Sequence, residues 1–325
     1  MHPTLTFAGI DWATRSHAVC VIDQTGSVLE RYEVEHREAG LRDLVARLRT
    51  SRVVGVAIER PDGPVVDALM GAGLSVIVIA SRSIKALRSR YGSAGNKDDR
   101  SDAYVLADVL RTDGHRLRPL VPDAPATVAL RASVRARKDL VRTRVRLVQQ
   151  LEAHLALAFP GAIGLFAKSD SDIARAFLTR FPSAVEAGWL TPRRFEAWLA
   201  RRGYGGRRSG AELHARLIAA PAGVSGDEAS ALATITLGYV GAIAAVREQI
   251  KHLEAAIAEQ LAAHPDGAIF TSLPRSGTVR AATLLAEIGD CRERFPTPEA
   301  LTCLAGAAPS TRQSGQHHAV TFRYA

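Results

Sequence analysis

Apolar and polar positions along the chain fall into two regimes. Up to residue 125, short apolar runs alternate with helical spacing. Residues 5–11 and 18–22 read as strands, and a turn at Gln24-Thr25-Gly26 leads into a third at 28–34. Residues 39–48 then carry a helical pattern. The run 52–59 (RVVGVAIE) is a buried-type strand that ends on a carboxylate. Gly63-Pro64 opens a helix over 64–70, and 74–79 (LSVIVI) is another buried strand. Three meandering strands followed by strand–helix units predict a mixed sheet covered by helices, an α/β fold.

Pro119, Pro122 and Pro125 mark a boundary. Beyond it, 127–158 reads as a long helix with apolar residues at 130, 134, 141, 145, 148, 151 and 155. A second long helix is predicted over 228–264, with Ile243, Val246, Ile250, Leu253, Ile257 and Leu261 as its seam. Together they predict an antiparallel coiled-coil hairpin. The intervening stretch, 160–225, is Gly- and Arg-rich with Trp189 and Trp198, and reads as a small helical insertion. The expected organisation is therefore 1–125, 126–265 and 266–325, the last a partial helical domain.

Composition narrows the class. Of 325 residues, 47% are hydrophobic and 23% charged, which suits globular domains and not a disordered chain. No run of about 18 uninterrupted apolar residues occurs, so no membrane span is expected. The start MHPTLTFAGID lacks the pattern of a secretory signal. Cys20, Cys291 and Cys303 have neither disulfide-framework nor metal-site spacing, which suits a reducing cytoplasm.

The net charge is +9, and all but five of the 42 basic residues are arginines. Codon bias in a GC-rich genome explains such a total as well as nucleic-acid binding does, so clustering has to decide. Arg131, Arg135, Arg137, Lys138, Arg142, Arg144 and Arg146 share one predicted helix with a single acid, Asp139. Like charges three and four apart repel, so a one-sign helix calls for an external anion, and phosphate is the expected one. The doublets Arg193-Arg194, Arg201-Arg202 and Arg207-Arg208 add to this basic surface.

Asp11 ends the first strand and Glu59 the fourth. Lys97-Asp98-Asp99-Arg100-Ser101-Asp102 opens a predicted helix. Asp99 and Asp102, spaced i, i+3, share a face of its first turn; Asp98, at i, i+4 from Asp102, is a rival for Asp99. Taken singly these acids read as caps, turns or ion pairs, Glu59 with Arg60 for example. Gathered at one sheet edge, four carboxylates need a divalent cation, and Mg²⁺ or Mn²⁺ suits hard oxygen ligands beside a phosphodiester. The order strand-Asp, strand-Glu, helix-Asp-x-x-Asp resembles the RNase H/RuvC nuclease arrangement. A phosphate loop of the sugar-kinase type is disfavoured, because Trp12-Ala13 stands where that loop needs glycine.

Near the C-terminus, Leu273-Pro274-Arg275-Ser276-Gly277-Thr278-Val279 resembles a helix–hairpin–helix in which Arg275 replaces the first glycine. Gly306-Ala307-Ala308-Pro309 and Ser314-Gly315 follow. With Gly9-Ile10-Asp11, the strand-end Glu59 and K-x-D-R-x-D-A at Lys97 to Ala103, these motifs make the chain similar to DEDD-type insertion-sequence transposases, the bridge-RNA-guided recombinases. The resemblance covers both ends; in the middle it extends only to a long helical linker. It implies a RuvC-like domain, a coiled coil and a C-terminal domain with a nucleophilic serine. Asp11, Glu59, Asp99 and Asp102 would be the metal tetrad and Ser314 the nucleophile, with Ser276 and Ser310 as competing serines. It further implies DNA as substrate, a structured guide RNA, homo-oligomers (dimer or tetramer) and a bacterial, nucleoid-associated setting. Family members continue for several tens of residues past the Ser-Gly motif, whereas this chain reaches Ala325. Two other readings stay open: a RuvC-like nuclease that uses water, and a non-catalytic nucleic-acid-binding protein.

Overall fold

The computed structural model describes residues 5–80, 84, 99–315 and 317–322. The chain divides into two compact units, Met1–Pro122 and Asp123–Ala325.

The first unit is built on a five-stranded sheet. β1 (Thr6–Trp12), β2 (Ser16–Asp23) and β3 (Val28–Glu35) form an antiparallel meander; β4 (Val53–Ile58) and β5 (Val76–Val78) run parallel to β1. The order is β3-β2-β1-β4-β5. α1 (Glu38–Thr50) and α2 (Pro64–Gly71) cover one face. Their Leu41, Leu44, Leu48, Val65 and Leu69 meet Ala8, Ile10, Val19, Val21, Val56 and Ile58. α3 (Asp99–Asp113) covers the other face, where Leu106, Val109 and Leu110 pack on Ala57 and Ile77, and Ala103 and Ala107 pack on Ala18, Cys20 and Ile22. Because side chains alternate along a strand, β1 sends Ala8 and Ile10 toward α1 and α2, and Phe7, Gly9 and Asp11 toward α3. The edge strand β3 reads VLERYEVE and is mostly exposed, and its charges disfavour pairing with another sheet.

The second unit is organised by two long helices, α4 (Pro125–Ala158) and α9 (Asp227–Ala263). They are antiparallel: Thr127 Oγ1 lies 2.8 Å from His264 Nε2 at one end, Arg137 binds Glu254 midway, and His154 Nε2 lies 2.9 Å from Thr236 Oγ1 at the other. Leu130, Val134, Leu151 and Leu155 are buried in this seam. Val145, expected there, is 45% exposed. Among the described residues α9 is the one helix long and apolar enough to cross a membrane by length and composition; here it buries Thr236, Val240 and Ile243.

Between the long helices lie α5 (Asp172–Arg180), α6 (Ala184–Ala187), α7 (Pro192–Ala200) and α8 (Gly210–Ala219), around an aromatic cluster of Phe159, Phe177, Phe181, Phe195 and Trp198. α10 (Gly267–Thr271) and α11 (Thr278–Ile288) pack on the base of the hairpin, where Phe270, Ala281, Ala282 and Leu285 meet Leu130, Val134, Ile257 and Leu261. Arg275, in the turn between α10 and α11, has φ +59°, the left-handed conformation that the missing glycine would adopt without strain. α12 (Pro298–Leu304) follows. The expected partial helical C-terminal domain also holds strands: β6 (Pro309–Ser314) and β7 (His317–Phe322) form an antiparallel ribbon. Ser314 pairs with His317, and Gly315, which follows Ser314, has φ +56°.

Candidate functional site

The carboxylates singled out by sequence are positioned by one close packing contact. A Cβ added to Gly9 would meet the Ala103 carbonyl oxygen, with the Ala107 nitrogen at 2.5 Å and Leu106 Cβ at 2.8 Å. α3 therefore lies against the bare backbone of β1, and any side chain at position 9 would push it off. Leu110, farther along the helix, lies against Gly55 near the start of β4. The helix thus runs opposite to β1 and β4, and its first turn reaches the ends of both strands.

Asp11 and Glu59 stand at those ends. β1 and β4 are in register at Ile10 and Ile58. Asp11 is the next residue of β1, on the face that α3 covers, and Glu59 directly follows the last residue of β4. Both are half-buried. Asp102, in the first turn of α3, is 3% exposed. Asp99 begins the same helix; its side chain, and Lys97 and Asp98 entirely, lie outside the described residues. Among the described residues no three carboxylate, imidazole or thiol groups already enclose a point where a cation would sit. In chemistry the donor set fits a hard divalent ion, since Asp11, Glu59 and Asp102 offer only carboxylate oxygens.

On the opposite face lies a cluster that the sequence reading passed over. Trp12 and His17 are cross-strand partners, with ring centroids 6.2 Å apart and near-parallel planes. The Arg60 guanidinium sits 4.5 Å from the Trp12 ring centre. His17 accepts from the Ala13 amide through Nδ1 (3.4 Å), so its Nε2–H donates to His36 Nδ1 at 2.9 Å. Burial, and then His36, holds the His17 pKa down to about 4 from 6.5. The folded value lies below the unfolded one, so the unfolded chain takes up the extra proton. His17's contribution is complete above about pH 6.5 and is lost as pH falls toward about 4. Between pH 7.5 and 4.5 the wild type should therefore lose about 2–3 kcal/mol more than a His17→Asn variant. Urea titrations at the two pH values check this; equal losses would contradict it.

The basic helix is partly paired within its own unit. Arg131 binds Asp123 and donates to the Ala286 carbonyl at 2.7 Å. Arg135 grips Glu287 with two bonds, 3.0 and 2.9 Å, which holds that carboxyl below its ordinary range. Arg137 binds Glu254, Arg142 binds Asp139, and Arg144 lies 3.5 Å from Asp170. Five of the seven cations thus have a carboxylate partner within the unit. Lys138 and Arg146 have no carboxylate in ion-pair range among the described residues. Ser314 is exposed at the end of β6, and Ser310 is less so on the same strand. Ser276 precedes the N-cap of α11.

Two family models match the chain: a DEDD transposase model over residues 8–160, and a model for the transposase IS116/IS110/IS902 family over residues 267–323. The chain is 34% identical to "Mini-circle putative transposase for IS117" of Streptomyces coelicolor, over 98% of this chain and 80% of that protein. It is 27% identical to "Insertion element IS900 uncharacterized 42 kDa protein" of Mycobacterium paratuberculosis, over 95% and 78%. A solved structure, "T. thermophilus RuvC in complex with Holliday junction substrate", is 17% identical and spans 36% of this chain and 99% of its own, with a TM-score of 0.28.

Proposed function

This chain belongs to the IS116/IS110/IS902 family of transposases, and from that premise we propose that it cuts and rejoins DNA strands at a carboxylate-held divalent metal, with Ser314 as the attacking group. What supports the reading is the seating of α3 on Gly9, which brings the helix that opens with Asp99 and Asp102 against β1, where Asp11 lies, with Glu59 just past the end of the neighbouring parallel β4. The sheet order supports an RNase H-like reading of the first unit. Asp11, Glu59, Asp99 and Asp102 would hold Mg²⁺ or Mn²⁺. When bound, such an ion neutralises charge that develops on the phosphate oxygens.

The chain's own groups do the rest. In this reading the strand ends would hold Asp11 and Glu59 and the first turn of α3 would supply Asp102, so that little reorganisation is needed at the moment of reaction. The Ser314 oxygen forms a bond to phosphorus as the bond to a sugar oxygen breaks; the serine proton leaves to solvent, to which this turn is open. Attack by an incoming sugar hydroxyl reverses the step and rejoins the strand. A structured RNA would select the DNA, and oligomers of the chain would bring carboxylates and serine to one phosphodiester. Lys138 and Arg146 are the α4 cations left for the nucleic-acid backbone.

Trapping tests the serine step. Protein, Mg²⁺ and insertion-sequence-end DNA are mixed, denatured and resolved. A protein–DNA adduct should form with the wild type and vanish in Ser314→Ala. Cleavage without an adduct would point instead to a RuvC-like nuclease using water, with Ser314 a turn residue. Binding with no cleavage at all would point to a nucleic-acid-binding protein.

A further inference from the structure

The helical insertion between the long helices lies outside both stretches matched by the family models. Its charge is arranged differently from that of α4. From Arg180 to Arg216 the chain holds eight arginines and three glutamates. Each glutamate is engaged by neutral donors at a helix start. Glu186 accepts from the Ser183 hydroxyl, Glu196 from the Gly210 amide, and Glu212 from the Ser209 amide (2.7 Å) and hydroxyl (3.1 Å). Among the described residues Arg193, Arg201, Arg207 and Arg208 have no carboxylate in ion-pair range, and all four are exposed.

Two more arginines lie on indole rings. The Arg194 guanidinium is 4.6 Å from the Trp189 ring centre, and that of Arg202 is 4.1 Å from Trp198. Trp198 is buried, whereas Trp189 is 49% exposed. One face of Trp189 is backed by Phe181, with centroids 6.5 Å apart and planes within 21°. A half-exposed indole, on which a base would take the place of the Arg194 guanidinium, lies in the same small insertion as four exposed guanidinium groups with no carboxylate in ion-pair range among the described residues. A single-stranded polynucleotide needs both: cations for phosphates and an aromatic face for an unpaired base. A duplex keeps its base faces stacked inside and cannot use the indole in this way.

We propose that the α5–α8 insertion is a binding surface for single-stranded nucleic acid, with Arg193, Arg201, Arg207 and Arg208 on phosphates and Trp189 as a stacking platform. The surface goes beyond the carboxylate reading, and it stands or falls separately.

Fluorescence anisotropy on the full chain tests it, with labelled 20-mers of oligo(dT) and oligo(U) as separate probes over a salt series. The quadruple variant Arg193→Gln/Arg201→Gln/Arg207→Gln/Arg208→Gln changes no side chain seen stacking on a ring. It should lower the slope of log affinity against log salt by about 3, four phosphates at about 0.7 each, for whichever probe binds. Trp189→Leu should weaken binding about 10-fold with the slope unchanged. Loss with one probe alone identifies DNA or RNA as the strand held. Asp11→Asn should bind as the wild type does, which separates this test from that of the cleavage site. A quadruple variant with wild-type slope and affinity for both probes would overturn the proposal. So would a loss confined to duplex DNA.

Discussion

Asp11→Asn should lower strand cleavage by at least about 10³-fold while the chain stays folded. The substitution keeps the shape of the side chain and removes one negative charge from a half-buried strand end. A metal-assisted phosphoryl transfer draws several kcal/mol of transition-state stabilisation from the ion, and about 1.4 kcal/mol is a factor of ten in rate. Weakening the ion's hold, or displacing it, therefore costs orders of magnitude. Glu59→Gln and Asp102→Asn should behave alike, as the other proposed ligands of the same ion. Asp62→Asn is the control. It lies three residues past Glu59 in the sequence, but it is exposed and 3.4 Å from Arg60, and it should change the rate by no more than about threefold. The assay is cleavage of end-labelled DNA, with circular dichroism confirming the fold.

Gly9→Val should unfold the first unit or leave it without an ordered α3. The Ala103 carbonyl and the Ala107 amide are backbone, and neither can swing away from an added Cβ. Overpacking ordinarily costs 1–3 kcal/mol; here whole-helix displacement adds the loss of apolar contacts made by Leu106, Val109 and Leu110, so a total of about 4 kcal/mol is expected. Even Gly9→Ala should cost about 2 kcal/mol and slow cleavage, since the first turn of α3 moves with the helix. Gly71→Ala supplies the contrast: a Cβ there meets nothing within 4 Å, and the change should be neutral or slightly stabilising. Amide hydrogen exchange across β1 and α3 reads the local stability directly.

The sheet could be read from the sequence because each of its strands is a compact run with its own boundaries. RVVGVAIE lies between polar turns, and its Gly55 to Ile58 are buried on both faces. The two long helices were legible for a similar reason, a repeated apolar seam. The seam drifted at Val145, where a strict 3.5-residue step departs from the 3.6-residue helix and the Arg144–Asp170 pair takes the inward position.

Charge was harder to read. The partners of Arg137 and Arg135 lie 117 and 152 residues away, so no local window shows which α4 cations are paired within the unit. The doublets of the insertion looked like a lesser version of the same signal. They differ because the nearby glutamates cap helices, which Ser209 and Glu212, a capping box, could have indicated. The β6–β7 ribbon was missed because it buries no face, and without burial the alternation that marks a strand carries no information. Gly9 was noticed only as part of a motif. The paired small residues Ala103 and Ala107, one helical turn apart, were the sign that a backbone would approach closely.

Mn²⁺ binding followed by electron paramagnetic resonance on the purified chain bears most directly on the carboxylate cluster. The wild type should bind Mn²⁺ in competition with Mg²⁺, and both Asp11→Asn and Asp102→Asn should lower that affinity by at least about 10-fold while circular dichroism is unchanged. If Asp11→Asn and Asp102→Asn bound Mn²⁺ as tightly as the wild type, the strand ends of β1 and β4 would not be where the metal is held.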